Sequence, residues 1–160
     1  MDNTEYPYIG LLVDCHTVES KTPAGTFEFT KRYWDAKNHI YGYKFQVVVS
    51  AAAPYYALFV SEPYKGADHD YKIFKETFVT FGDYLRKLPQ ELRHPGIRQD
   101  TIDRHPNPCW AILGDKAYEG PLSDTPGIRK MNIKRNVTNR QEQRNNTILS
   151  AHRVYVECFF

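Results

Sequence analysis

The sequence contains few cysteines and no long apolar segment. Its three cysteines, Cys15, Cys109 and Cys158, are far apart and form no C-x-x-C pair, which argues against a disulfide framework and indicates a reducing compartment. No apolar run reaches about 18 residues, and no hydrophobic stretch follows the polar start of the chain, so we expect neither a membrane-spanning helix nor a signal peptide. These absences predict a soluble protein inside the cell.

Net charge is low as well, but it is unevenly distributed. The formal charge is +2, and between residues 126 and 153 the single acid is Glu142. The basic residues of that segment are Arg129, Lys130, Lys134, Arg135, Arg140, Arg144 and Arg153. Such a segment suits a polyanion such as DNA, because phosphate contacts dominate affinity for nucleic acids. A solvated basic surface is the alternative interpretation.

The composition is that of one ordinary folded domain. A chain of 160 residues with 41% hydrophobic and 25% charged residues is long enough to bury a core and too short to favour two domains. Tyr and Phe are plentiful, which favours strands in a packed sheet.

Short apolar runs predict four strands. The first, Tyr8–Cys15, carries Asp14 at its predicted C-terminal tip, and the fourth, Cys109–Gly114, is followed directly by Asp115. Between them, Tyr41–Ala53 and Tyr55–Ser61 are joined around a proline and predict an antiparallel pair.

Two segments have helical periodicity. From residue 74 to residue 88, apolar side chains recur at spacings of three and four, which predicts an amphipathic helix with Asp68 and Asp70 at its N-terminus and an end near Leu88. A second helix is expected from Thr138 onward. The region from Arg93 to Pro108 is polar and rich in proline, which predicts a surface connection.

The resulting order is three strands, a helix, a strand and a helix. A three-stranded antiparallel meander followed by a crossover helix and a further strand is the opening topology of the RNase H-like fold. We therefore expect an α/β protein with a mixed sheet and flanking helices.

Three acids stand out within this order: Asp14, Asp115 and Glu157. Open α/β sheets bind ligands outside the carboxyl ends of their strands. If the first and fourth strands are neighbours, Asp14 and Asp115 come close together, and a helical Glu157 could complete a set. Carboxylates held that close need a cation, and Mg²⁺ or Mn²⁺ are the hard cations that prefer such ligands. Taken singly, each acid could equally be a turn residue or a solvated surface group.

Five motifs in series resemble the DDE superfamily endonucleases, specifically the PIF/Harbinger-type transposases and their bacterial insertion-sequence relatives. Leu12–Thr17 resembles the strand ending in D-x-T, Lys37–Val47 resembles K-x-H-x-x-G-x-x-x-Q-x, and Gly66–Asp70 resembles the G-S-x-H-D turn. Leu113–Tyr118 resembles G-D-x-G-Y, with Ala117 in place of glycine, and Arg153–Phe160 resembles R-x-x-x-E-x-x-F.

This resemblance implies a metal-dependent nuclease that cuts DNA and transfers strands. Asp14, Asp115 and Glu157 would be the catalytic, metal-binding triad for two Mg²⁺ or Mn²⁺ ions. Asp70 with His69 would have a supporting role, as a helix cap or as an outer-shell group. Arg153 could pair with Glu157 or contact phosphate. Lys116 could contact phosphate too, together with the basic residues of the C-terminal segment.

The family pattern also bears on domains, partners and location. Relatives carry an N-terminal helix-turn-helix and continue past the glutamate, so we expect residues 1–160 to be one catalytic domain that is truncated at its C-terminus and lacks the DNA-binding region. DNA is the expected partner, with a second copy of the chain or an accessory DNA-binding protein as further candidates. The expected location is the nucleus in a eukaryote and otherwise the cytoplasm.

Two other functions compete with this one. A protein derived from such a transposase could bind DNA or assemble with other proteins without catalysis. A zinc site built from Cys15, His16, His69 or Cys109 is a further alternative, although their spacing matches no zinc motif.

Overall fold

A computed structural model of the chain describes residues 8–93, 108–118, 130–132 and 137–158. Its strands are β1 (Ile9–Glu19), β2 (Trp34–Asp35), β3 (Ile40–Ser50), β4 (Ala57–Val60), β5 (Tyr64–Lys65), β6 (Ala111–Gly114) and β7 (Lys130–Asn132). Its helices are α1 (Phe27–Thr30), α2 (Asp70–Phe81), α3 (Pro89–Arg93) and α4 (Arg140–Glu157), and three 3₁₀ turns cover Lys31–Tyr33, Gly82–Leu85 and Lys116–Tyr118.

The strands form one mixed sheet in the order β2-β3-β1-β6-β7, and β4 and β5 also pair with β3. β1 and β3 are antiparallel, whereas β1 and β6, and then β6 and β7, are parallel. This confirms the predicted α/β class and the RNase H-like arrangement, in which an antiparallel meander precedes parallel strands. The first and fourth predicted strands, β1 and β6, are neighbours.

β1 is longer than the sequence predicted. It runs from Ile9 to Glu19, and its pairing with β3 extends to Glu19 opposite Gly42. Asp14 therefore lies inside the strand, and its predicted place at the strand tip is wrong. The second half of β1 escaped prediction because the residues after the apolar run are mostly polar, even where they are buried, as Thr17 is.

Helices cover both faces of the sheet. On one face, Leu12 of β1 and Leu113 of β6 pack with Leu149 and Val156 of α4. On the other face, Val13 belongs to a second cluster together with residues of α2. Because side chains alternate along a strand, successive residues of β1 serve opposite faces and opposite helices.

α2 begins where it was predicted to begin and ends earlier. Its N-cap is His69, and its last residue is Phe81, after which a 3₁₀ turn runs from Gly82 to Leu85. Glycine is a poor helix former. A Cβ at Gly82 would also lie 2.9 Å from the ring of Phe78, so the helix could not keep this packing with a larger residue. The predicted end near Leu88 is therefore wrong.

The remaining predictions concern the last helix, the connection before β6 and the strands that were missed. α4 confirms the helix predicted from Thr138, with Asn139 accepting a hydrogen bond from the Gln141 N–H as its N-cap. Most of the connection predicted from Arg93 to Pro108 lies outside the described residues. β7 was not predicted, because it has only three residues in a polar context. No helix in the described ranges is both long and apolar enough to cross a membrane.

Candidate metal-binding site

Asp14 is a buried carboxylate on the face of the sheet that α4 covers. Only 6% of the residue is exposed. One oxygen, Oδ1, accepts a hydrogen bond from the N–H of Cys15 at 2.9 Å. Asp14 shares its face of the strand with Leu12, two residues earlier, which packs against α4. A carboxylate in this position is held by regular strand backbone and not by a flexible loop.

Asp115 directly follows β6, as the sequence predicted. Its Oδ1 accepts the N–H of Ala117 at 2.6 Å, and its carbonyl oxygen accepts the N–H of Tyr118 at 3.2 Å. These two bonds close the 3₁₀ turn Lys116–Tyr118. The turn therefore fixes the orientation of the half-buried Asp115 carboxyl group.

The strand register places the segments that carry Asp14 and Asp115 next to each other. β1 and β6 pair in parallel with Leu12 opposite Leu113. Asp14 lies two residues after Leu12, and Asp115 lies two residues after Leu113, directly after the end of β6. Since Leu12 faces α4, the alternation of side chains along β1 directs the Asp14 carboxylate to that face. Asp14 thus lies where the parallel pairing ends, the place at which a sheet of this kind binds ligands.

Glu157, the third predicted acid, is the exposed last residue of α4. Two residues earlier, the ring of Tyr155 stacks on Tyr55 with 4.0 Å between centroids. Tyr55 follows β3, in the loop beside the start of β1, where the N–H of Ala51 donates to the carbonyl of Gly10. No three His, Cys, Asp or Glu side chains among the described residues are grouped to hold a metal ion.

The supporting residues His69 and Asp70 organise the start of α2. Nδ1 of the exposed His69 accepts the N–H of Tyr71 at 3.2 Å and so caps the helix. Asp70 is buried, and its Oδ1 forms an ion pair at 2.8 Å with Nζ of Lys44 on β3. Asp68, which was expected at the helix N-terminus, instead accepts the N–H of Lys65 and pairs with Lys72.

A cavity of about 280 Å³ opens beside this ion pair. Its walls come from the turn between β2 and β3, from Lys44, and from the segment that leads into α2. It lies next to the Gly66–Asp70 turn and does not include Asp14 or Asp115.

Sequence reasoning missed a contact between two residues beside the aspartates. The hydroxyl of Tyr118 donates to Sγ of Cys15 at 3.2 Å, and Tyr118 is fully buried. Burial, reinforced by the charge of Asp70, raises the pKa of the Cys15 thiol far above its usual range despite the opposing Tyr118 hydrogen bond. A protonated thiol is a poor metal ligand and nucleophile. Tyr118 is the tyrosine of the G-D-x-G-Y motif, which marks the residue in the sequence but not its contact with Cys15.

The basic residues can be placed only in part. Arg140 and Arg144 are exposed on the first turns of α4. Arg129, Lys134 and Arg135 lie outside the described residues, and for Lys116, Lys130 and Arg153 only the backbone is described.

Comparison with models of protein families shows the family to which the chain belongs. A family model described as DDE superfamily endonuclease matches residues 13–160. The chain belongs to the DDE superfamily endonucleases. No curated protein and no solved structure matches it.

Members of the DDE superfamily endonucleases are typically metal-dependent nucleases that act on DNA. Its mixed sheet agrees with the RNase H-like fold of that family. The matched range includes all three predicted acids and begins one residue before Asp14.

Proposed function

We propose that this DDE superfamily endonuclease is a PIF/Harbinger-type transposase catalytic domain that hydrolyses phosphodiester bonds and transfers DNA strands. Its catalytic residues would be Asp14, Asp115 and Glu157. The observation that supports the proposal is the parallel register of β1 and β6, which pairs Leu12, two residues before Asp14, with Leu113, two residues before Asp115. We also propose that residues 1–160 act as one domain, with DNA as substrate.

The two aspartates fit the divalent metal ions that the family uses. Mg²⁺ and Mn²⁺ prefer carboxylate oxygen, and Mg²⁺ is commonly held by one or two carboxylates together with water and substrate phosphate oxygens. Two adjacent carboxylates, one of them only 6% exposed, would otherwise repel each other. Asp14 and Asp115 would therefore hold the ions, and Glu157 would be the third ligand.

When bound, such ions activate the attacking hydroxyl group and neutralise charge on the phosphate and the leaving oxygen. The chain's own contribution is to fix the ligands in place. The strand backbone holds Asp14, and the N–H of Ala117 orients the Asp115 carboxylate. Exposed basic residues such as Arg140 and Arg144 would bind backbone phosphates of the DNA and set its position. No covalent bond between protein and DNA is needed.

Glu157 is supported by sequence and not by geometry. It follows Asp115 after 41 intervening residues in the family's R-x-x-x-E-x-x-F pattern. It lies on α4, whose Val156 packs on the same face of the sheet as Leu12. Substitution of Glu157 therefore tests whether this residue acts with the aspartates.

Nicking of supercoiled plasmid DNA by the full chain tests the proposal. We expect nicking with Mn²⁺, none with EDTA, and a loss of at least about a hundredfold in Asp14→Asn, Asp115→Asn and Glu157→Gln. Asp83→Asn is the matched control, because Asp83 is an exposed acid paired with Arg86. Folded Asp115→Asn that nicks DNA at the wild-type rate would contradict the proposal.

We keep a second function as the alternative, since no three His, Cys, Asp or Glu side chains among the described residues are grouped to hold a metal ion. The protein would then bind DNA or assemble with other proteins and would have no catalysis. DNA retention that survives both EDTA and the triad substitutions, without any metal-dependent nicking, would identify this second function.

A further inference from the structure

Tyr118 and Cys15 join the two segments that carry the aspartates. Cys15 follows Asp14 on β1, and Tyr118 ends the turn that begins after Asp115. The Tyr118 hydroxyl donates to Cys15 Sγ at 3.2 Å across 103 residues of sequence. This contact lies on the α2 face of the sheet, opposite the face that Asp14 shares with Leu12.

The ring of Tyr118 is held firmly in place. It is fully buried and meets the ring of Phe74 on α2 edge-on, with 5.7 Å between centroids. Gly114 supplies the space for it, since a Cβ there would lie 2.9 Å from Cγ of Tyr118. The glycine and the tyrosine that flank Asp115 in the sequence are therefore parts of one packing arrangement.

The turn transmits this anchoring to the Asp115 carboxyl group. The N–H of Tyr118 donates to the Asp115 carbonyl, and the N–H of Ala117 donates to Asp115 Oδ1. Moving the Tyr118 ring would move both donors. On the other strand, Cys15 is bonded directly to Asp14, whose Oδ1 accepts the Cys15 N–H.

We infer that Tyr118 and Cys15 are positioning residues, which set the separation and orientation of Asp14 and Asp115 from the opposite face of the sheet. This inference rests on the proposed function, since the aspartates must hold metal ions for their spacing to matter. Partners that orient metal ligands without touching the metal commonly contribute one to two orders of magnitude to affinity. Neither side chain is proposed to touch metal or DNA.

Calorimetric titration of the full chain with Mn²⁺ tests the inference. Tyr118→Phe keeps the ring and removes the hydroxyl, and we expect its Kd for Mn²⁺ to rise on the order of tenfold. Cys15→Ala should weaken binding similarly, whereas Cys15→Ser keeps an acceptor and should weaken it less. Because one contact is removed in each case, Cys15→Ala with Tyr118→Phe should be no weaker than either single variant. Tyr56→Phe, at an exposed tyrosine, is the control.

Amide hydrogen exchange separates positioning from a general loss of stability. In Tyr118→Phe, we expect faster exchange at the Ala117 amide, which bonds to Asp115, and unchanged protection at Val48 in the middle of β3. Faster exchange throughout the sheet would contradict a positioning role, because it would show that the hydroxyl contributes to overall stability.

The outcomes for the two proposals are distinct. Wild-type binding of Mn²⁺ that is unaltered in Tyr118→Phe overturns the positioning role and leaves the proposed function intact. A folded wild-type chain that binds no Mn²⁺ overturns the proposed function and the positioning role together.

Discussion

At the scale of single residues, Asp35 shows how one buried carboxylate can organise a turn. Asp35 is only 4% exposed. Its oxygens accept hydrogen bonds from the Thr17 hydroxyl on β1, from the N–H groups of Lys37 and Asn38, and from the Asn38 side chain. The turn that follows carries His39 at a positive φ of 57°. Asp35 therefore stabilises the β2–β3 turn and ties it to β1.

Stability should depend on the charge of Asp35. Burial alone would raise its pKa, but the bonds from Thr17 and Asn38 and the turn backbone outweigh burial and lower the pKa below its ordinary value of 3.8. A lowered pKa adds stability above that value and loses it as pH falls through the folded-state pKa. We expect Asp35→Ala to reduce the free energy of unfolding by about 2 kcal/mol at pH 7.

Urea unfolding of wild type and Asp35→Ala between pH 7 and pH 2.5 measures this effect. The difference between the two proteins should stay constant down to about pH 4 and shrink below it. Asp83→Ala, at an exposed acid, is the control. A difference that did not change with pH would show that the turn does not depend on the carboxylate charge.

The sequence predicted single residues best where chain-local patterns determine their position. Asp115 lies directly after its strand because an apolar run ends there. Asp14 was placed at a strand tip because the following residues are polar, yet pairing with β3 continues the strand. The contact between Cys15 and Tyr118 spans 103 residues, and no local pattern indicates such a contact. The helix cap was expected from Asp68 or Asp70, whereas His69 between them is the residue that caps α2.

At the scale of elements, a buried ion pair links α2 to the sheet. Nζ of Lys44 on β3 lies 2.8 Å from Asp70 Oδ1 and also donates to the Asp68 carbonyl at 2.8 Å. Both side chains of the pair are about nine-tenths buried. The acid at the first position of the helix also interacts favourably with the helix dipole. The pair thus fixes the N-terminus of α2 against β3, beside the cavity.

Removing one partner of this pair should weaken the protein strongly. Asp70→Asn would leave the Lys44 ammonium group buried without its counter-charge, and we expect a loss of about 3 kcal/mol in the free energy of unfolding. The double variant Lys44→Met with Asp70→Leu should recover much of that loss, because no buried charge remains. Thermal or urea unfolding measures both.

A double variant as unstable as Asp70→Asn would contradict this explanation. It would mean that the shape of the two side chains, and not the uncompensated charge, is what docks α2. Lys72→Met, which removes the exposed partner of Asp68, should change stability by less than about 1 kcal/mol and is the matched control.

Elements were predicted well where the sequence has a clear hydrophobic pattern. α2 and α4 follow from their helical period, and β1, β3, β4 and β6 follow from their apolar runs. β2, β5 and β7 have two or three residues each, too few to show any. α2 ends early at Phe81, directly before Gly82, although the apolar spacing continues to Leu88.

At the scale of the whole molecule, the order of strands joins distant parts of the sequence. Asp14 and Asp115 become neighbours only because a connection returns the chain from α2 to the open edge of β1, where β6 pairs in parallel. The sequence could predict this only through the topology and the family resemblance. The position of Glu157 depends on how α4 docks, which is a tertiary property that spacing alone does not determine.

Calorimetric titration of the wild-type chain with Mn²⁺, beside Asp14→Asn and Asp115→Asn, tests the central claim most directly. If the neighbouring aspartates form the metal site, the wild type binds Mn²⁺ and each substitution weakens binding by at least about tenfold, with the fold retained by circular dichroism. A folded wild type that binds no Mn²⁺, or an Asp115→Asn variant that binds it equally well, would contradict the account.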